Sequence, residues 1–307
     1  MHIIKVAAIA IEDKEYSSLA SKFAECKRWL RHARATGVQL AVLPETVNVF
    51  WEHTPRNIDK RSGYLQNWRD ECHPLICLAA ELKLALTVPV LYKDIDERIY
   101  NAFFLYDENG KMLGEYRKQF LTPHEVACGV CPDPSPALMK WNNLKIGGAI
   151  CFDTLYAETY QRQDGMNLLL CPSRWPGGCQ LNFFSGIMNF HTVLAYSYWS
   201  RIIASDGTEV AAGGYRNETL RYGFGVPVIT ATINCDRQNY FGNINQEKMA
   251  DLEAEYGDQI KIRFDQQNCL WTVESLSPNF TMRDLEQKHG LICRQDYLAQ
   301  CASNIYP

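Results

Sequence analysis

Three residues pair reactive chemistry with positions that would hold them still: Cys151, Glu45 and Lys118. Cys151 closes Leu144-Lys-Ile-Gly-Gly-Ala-Ile-Cys, whose Ile146, Ala149 and Ile150 read as a buried strand that breaks at Asp153-Thr154. A thiol at a strand end is rigidly held, and Gly147 and Gly148 allow another backbone to approach closely. A helix starting near Ala157 would favour the thiolate through its dipole. Glu45 follows Ala41-Val-Leu-Pro, and Lys118 follows Gly114-Glu-Tyr-Arg. Cysteine supplies a nucleophile, a carboxylate takes its proton, and an ammonium stabilises an oxyanion. Each residue also has a plainer reading. Cysteine is among the most buried residue types, Glu45 could neighbour a helix cap, and Lys118 could be a solvated surface lysine. Spacing alone does not bring the three together.

The elements that would position them alternate. Ile3 to Ile11 has the composition of a buried strand, and Leu19, Phe23, Cys26, Trp29, Leu30 and Ala33 then recur at helical spacing up to a stop at Gly37. Val38 to Leu43 reads as a strand, Asn48 to His73 as a long surface excursion, Leu75 to Ala85 as a helix and Leu86 to Tyr92 as a strand. This order is that of an α/β core, in which polar groups converge at strand ends. Hairpins follow around Asn109-Gly110, Asn142-Asn143 and Asp206-Gly207. Further elements are a helix from Ala157, a strand from Met166 to Cys171 and a strand from Val228 to Cys235. The tail shows one clear helix, opened by Thr281-Met-Arg-Asp284 and closed by Gly290. We divide the chain into a main domain over 1–270 and an extension over 271–307.

Composition narrows the function classes. With 307 residues, 47% hydrophobic, the chain can bury a sizeable core, and a net charge of −4 argues against a nucleic-acid or anionic-membrane partner. No signal sequence or membrane span is visible in the chain, so the expectation is a cytoplasmic protein whose twelve cysteines stay thiols. Cys128-Gly-Val-Cys131 has the spacing of half a zinc site, but no second pair follows, and we expect no metal. Asn217-Glu-Thr219 and Gly223-Phe-Gly225 are read as chance and as turn residues.

Taken together, Leu43-Pro-Glu45, Tyr116-Arg-Lys118 with Leu121-Thr-Pro-His-Glu125, and Ala149-Ile-Cys-Phe-Asp153 resemble, in order, the three signatures of the nitrilase (carbon–nitrogen hydrolase) superfamily. The resemblance spans roughly residues 3 to 235. It implies a four-layer αββα sandwich, a homodimer or larger homo-oligomer, no organic cofactor, and cleavage of nonpeptide carbon–nitrogen bonds in a small molecule. Carried over, Cys151 is the nucleophile, Glu45 the general base, and Lys118 the oxyanion stabiliser together with the Phe152 backbone N–H. Glu125 matches the second acidic residue that many members place beside the lysine.

The branch is read from the neighbours. Phe152-Asp153 after the nucleophile resembles amidases more than nitrilases, which favours amide over nitrile hydrolysis. Arg174 could pair with a substrate carboxylate, or be a surface arginine held by Trp175, and Trp51 could line the pocket. One departure stands out. Asn182 to Ser200, with Met188, His191, Leu194 and Ala195 as a helical stripe, leaves little room for the strand that the family fits there. That shortfall keeps a third reading open, a catalytically silent assembly module on the same fold. His191 reads as core or interface.

Overall fold

A computed structural model of the chain describes residues 2–11, 16–49, 65–135, 138–214 and 227–303. The first apolar run forms β1 (Ile3–Ile9), and Phe23, Cys26, Leu30 and Ala33 form the buried face of α1 (Leu19–Ala35). Ser18 caps that helix by accepting from the Ser21 N–H, and Gly37 turns the chain just beyond it at φ +85°. β2 (Leu40–Val42), α2 (Trp68–Glu81) and β3 (Ala85–Lys93) follow, and β1, β2 and β3 pair in parallel. β4 (Ile99–Tyr106) and β5 (Met112–Arg117) then form the first hairpin, whose turn is tied by Asp107 Oδ1 accepting from the Asn109 and Lys111 N–H groups.

The second half repeats the scheme. After α3 (Pro123–Ala127), β6 (Met139–Trp141) and β7 (Leu144–Gly148) meet at Asn142 and Asn143, both left-handed as a two-residue hairpin turn requires. α4 (Ala157–Gln161), β8 (Leu168–Pro172), α5 (Gln180–Met188), β9 (His191–Ala195), β10 (Ser200–Ile203), β11 (Glu209–Gly213) and β12 (Val228–Asn234) complete it.

The strands make two six-stranded sheets, ordered β12-β1-β2-β3-β4-β5 and β11-β10-β9-β8-β7-β6. Their inner faces share one core, with Val6, Leu40, Val42 and Phe103 from the first sheet against Ile146, Leu168, Leu170 and Val193 from the second. Phe23, Leu30, Trp68 and Leu75 of α1 and α2 cover the outer face of the first sheet, while Tyr160, Leu181 and Phe190 cover that of the second. Four layers result, helix–sheet–sheet–helix, the αββα arrangement anticipated.

Two expectations need correction. The 182–200 segment does contain the full strand β9, which pairs with β8 on one side and β10 on the other. Asn189 adopts φ +58° at the end of α5, so helix turns into strand within two residues, a reversal that needs no separate loop. His191 therefore lies on a strand; its ring is buried with Nε2 3.0 Å from the Asn234 carbonyl oxygen, in keeping with the core reading. The tail also holds more than one helix. β13 (Arg237–Phe241), α6 (Gly242–Tyr256), β14 (Ile260–Asp265) and β15 (Leu270–Ser275) precede α7 (Met282–His289) and α8 (Arg294–Ser303). β13, β15 and β14 form a third sheet with its own core of Tyr240, Met249, Leu252, Val273 and Leu285. Arg237 pairs with Asp206, and Asn234 Nδ2 donates to the Ser275 carbonyl at 2.8 Å, joining this unit to the sandwich. None of the described helices is long and apolar enough to cross a membrane.

Candidate active site

Strand direction brings the reactive residues to one edge. β2 and β3 run parallel, β4 returns and β5 runs forward again, so the carboxyl ends of β2 and β5 lie beside the start of β4. Glu45 follows β2 in a loop fixed by Val47 N–H donating to the Pro89 carbonyl (2.9 Å) and by Asn48, whose amide makes both bonds to the backbone of Leu91. Lys118 follows β5, and its backbone N–H donates to the Asn101 carbonyl at 2.8 Å. Glu125 is the third residue of α3, where it closes a capping box with Thr122. Cys151 arrives from the other sheet, just past β7, at φ +49° in the first position of a 3₁₀ turn (Cys151–Leu155).

The four side chains converge. Lys118 Nζ lies 3.1 Å from Glu45 Oε1 and 2.8 and 2.9 Å from the two oxygens of Glu125. Together with Cys151 they line a cavity of about 310 Å³, to which Thr122, His124 and Arg174 also contribute. Asn101, which sequence reasoning missed, donates to Glu45 Oε1 (2.7 Å) and Glu125 Oε1 (2.8 Å). Its only signal was being the one side chain in Ile99–Tyr106 that is neither aliphatic nor aromatic.

Asp153 fixes the Cys151 turn against the Lys118 loop. Its Oδ1 accepts from the Gln119 and Phe120 N–H groups (3.1 and 2.7 Å), and its Oδ2 from the Ile150 N–H and the Tyr116 hydroxyl (2.9 and 2.8 Å). A single buried carboxylate thus spans both sheets. Gly148 serves the same junction, since a Cβ there would lie 2.4 Å from the Tyr116 ring; the close neighbours of Gly147 and Gly148 are side chains, where the sequence suggested a backbone.

Arg174 reaches the cavity, while Trp175 and Phe152 do other work. Trp175 Nε1 donates to the Cys151 carbonyl at 3.1 Å. The Phe152 ring sits edge-on to Tyr156, which stacks on Phe120 with centroids 3.9 Å apart. Trp51, like most of the long excursion and the 217–219 and 223–225 motifs, lies outside the described residues. Cys128 is the C-cap of α3 and its Sγ lies 3.8 Å from Nε2 of His124, which lines the cavity, so the start of the Cys128–Cys131 motif adjoins a cavity-lining residue. Cys77, Cys179, Cys269 and Cys301 are exposed, whereas Cys151 is half-buried.

Charge follows from these contacts. Burial works against the Lys118 ammonium, but Glu45, Cys151 and Glu125 outweigh it and raise its pKa, so it stays charged. Burial likewise opposes the Glu125 carboxylate, and Lys118 with the Thr122 and Asn101 donors overcomes it, holding Glu125 below the usual carboxylate value. Burial pushes Asp153 up to about 6 against the pull of Lys118 and its donors. The Cys151 thiol is pushed up to about 12, first by burial and then by Glu45, with Lys118 opposing. α4 does begin at Ala157, but the thiol is nonetheless pushed up rather than down. A neutral thiol beside a carboxylate and an ammonium calls for a base that removes its proton as it attacks.

Known proteins share this frame. A carbon–nitrogen hydrolase from Helicobacter pylori G27 superposes with a TM-score of 0.66 at 13% identity, covering 82% of this chain and 92% of that one. Nit3 of Saccharomyces cerevisiae, from the nitrilase superfamily, gives 0.63 at 19% identity over 75% and 90%. An amidase from Nesterenkonia sp. AN1, in complex with acrylamide, gives 0.64 at 16% identity over 83% and 97%. In sequence, the deaminated glutathione amidase of Dictyostelium discoideum is 26% identical over 175 residues, which span 49% of this chain and 57% of that protein. The carbon–nitrogen hydrolase family model matches residues 5–182, more than half of the chain, and the chain belongs to that family.

Proposed function

We propose that this protein hydrolyses a nonpeptide carbon–nitrogen bond, an amide, in a small molecule through a thioester on Cys151. The observation that carries the reading is the convergence of Glu45, Lys118, Glu125 and Cys151 on one cavity. In this mechanism Cys151 Sγ attacks the carbonyl carbon as Glu45 takes the thiol proton. The new oxyanion is held by Lys118 Nζ and the Phe152 N–H. Glu45 returns the proton to the leaving nitrogen, the C–N bond breaks, and ammonia or an amine departs. Water then attacks the thioester, giving its proton to Glu45 and releasing the carboxylic acid and the thiol. Lys118 holds the Glu125 carboxyl below its usual value throughout. The relative from Dictyostelium discoideum and the Nesterenkonia amidase support the choice of an amide. Self-association into a dimer or larger assembly, in the cytoplasm, belongs to the same reading and is checked by light scattering and by imaging of a tagged chain.

The test is ammonia release from primary amides, N-carbamoyl amino acids and nitriles, run beside Cys151→Ala. Release from amides, absent in the variant while its melting temperature is retained, is expected. Near wild-type turnover in Cys151→Ala would remove the thioester mechanism, and release from nitriles alone would move the protein to nitrile hydrolysis.

A further inference from the structure

Glu45 and Glu125 point their Oε1 atoms at the same two donors. Lys118 Nζ serves both oxygens, and so does the side-chain amide of Asn101, 2.7 Å from one and 2.8 Å from the other. Asn101 is fully buried on β4, and its backbone carbonyl separately accepts from the Lys118 N–H. An amide NH₂ has two hydrogens and the neighbours are two acceptors, so its orientation is fixed by the network. Its Oδ1 has no hydrogen-bond partner among the described residues. A side chain kept at full burial with one polar atom unsatisfied is there for what its other atom does.

The consequence falls on Glu45. Its Oε1 is taken by two donors, whereas its Oε2 is buried and has no hydrogen-bond partner among the described residues. We infer that Asn101 is a positioning residue for the base: by holding Oε1 of Glu45 and of Glu125, it leaves Oε2 of Glu45 as the atom that takes the Cys151 proton. This rests on the hydrolase reading above for its purpose but not for its geometry. Lys118 alone is a rotatable point donor that Glu125 engages with both oxygens. The planar amide fixes the rotation of the Glu45 carboxylate about its last bond.

The experiment is site-resolved alkylation by iodoacetamide, read by mass spectrometry on Cys151 with exposed Cys77 as internal reference, in wild type, Asn101→Leu and Asn101→Ser. Alkylation needs no substrate and reports proton removal from the thiol directly. The Leu variant keeps the volume and loses the donor; the Ser variant keeps a single donor should Leu fail to fold. At pH 7 the Cys151 rate is expected to fall roughly 10-fold in Asn101→Leu, the loss of one hydrogen bond to a charged group, and less in Asn101→Ser. With an active substrate, kcat should fall while KM stays within about twofold, as for loss of an interaction made in the transition state. Cys151 alkylated at the wild-type rate in a folded variant, or Cys77 slowed equally, would overturn the inference. So would a rise in KM with kcat unchanged. A silent substrate panel with altered alkylation would count against the hydrolase reading and leave the positioning role standing.

Discussion

Cys151 adopts φ +49°, a left-handed conformation that costs a non-glycine residue on the order of 1 kcal/mol or more. Its carbonyl is held there by the Thr154 hydroxyl at 2.8 Å and the Trp175 indole N–H at 3.1 Å. The residue with the most to lose by removal is Lys118. Breaking a buried charge network by deleting one partner costs about 3–5 kcal/mol, so Lys118→Met should lower the melting temperature markedly and abolish turnover. Its pH dependence should also invert. Because Glu125 is held below its usual value, the wild-type pair contributes stability above the unfolded carboxylate pKa and loses it as pH falls through the folded value. Without Lys118 the two carboxylates repel, and the variant should gain stability as pH drops from 7 towards 4 in a thermal-shift series. At this scale the reactive groups were readable because a Cys, Glu or Lys at a strand end carries its chemistry in its type. Asn101 does not, since its part arises only from acceptors 56 and 24 residues away along the chain.

The elements fix how the two halves of the site meet. Glu45, Lys118 and Glu125 belong to the first sheet and its loops, Cys151 to the second, and Tyr116 and Asp153 tie the two together. A Cβ at position 148 would drive Tyr116 away, with its nearest ring atoms at 2.4 and 2.5 Å. Gly148→Ala should therefore cost about 1–3 kcal/mol by overpacking, and its kcat should fall further than the loss of folded protein explains, measured as activity per titrated thiol. The hairpins were legible because Asn-Asn and Asn-Gly demand left-handed turns. β9 was not, because Met188, His191, Leu194 and Ala195 recur at a spacing that fits a helix, and a five-residue strand buried on both faces shows no alternation to contradict it.

At the scale of the whole molecule, the sandwich and the C-terminal unit meet near a histidine. Burial first, and then the Arg237 charge, push His191 down to about 4, against the pull of its Asn234 carbonyl contact and Asp206. A folded value below the unfolded one means that stability is complete above about pH 6.5 and is lost as pH falls towards 4, by on the order of 3 kcal/mol. His191→Gln should flatten that window in a melting-temperature series. The third sheet escaped the sequence reading because its strands mix charged with apolar residues, as in Ile260–Asp265, and only their pairing with Leu270–Ser275 gives them a buried side. The distribution of thiols has a consequence for how this protein ages. Oxidants take thiolates, and Cys151 is a half-buried thiol pushed up to about 12, whereas four other cysteines face solvent. The four exposed thiols are therefore expected to react first: in mild peroxide the mass should climb by several oxygen atoms, and intermolecular disulfides appear, while Cys151 is still unmodified.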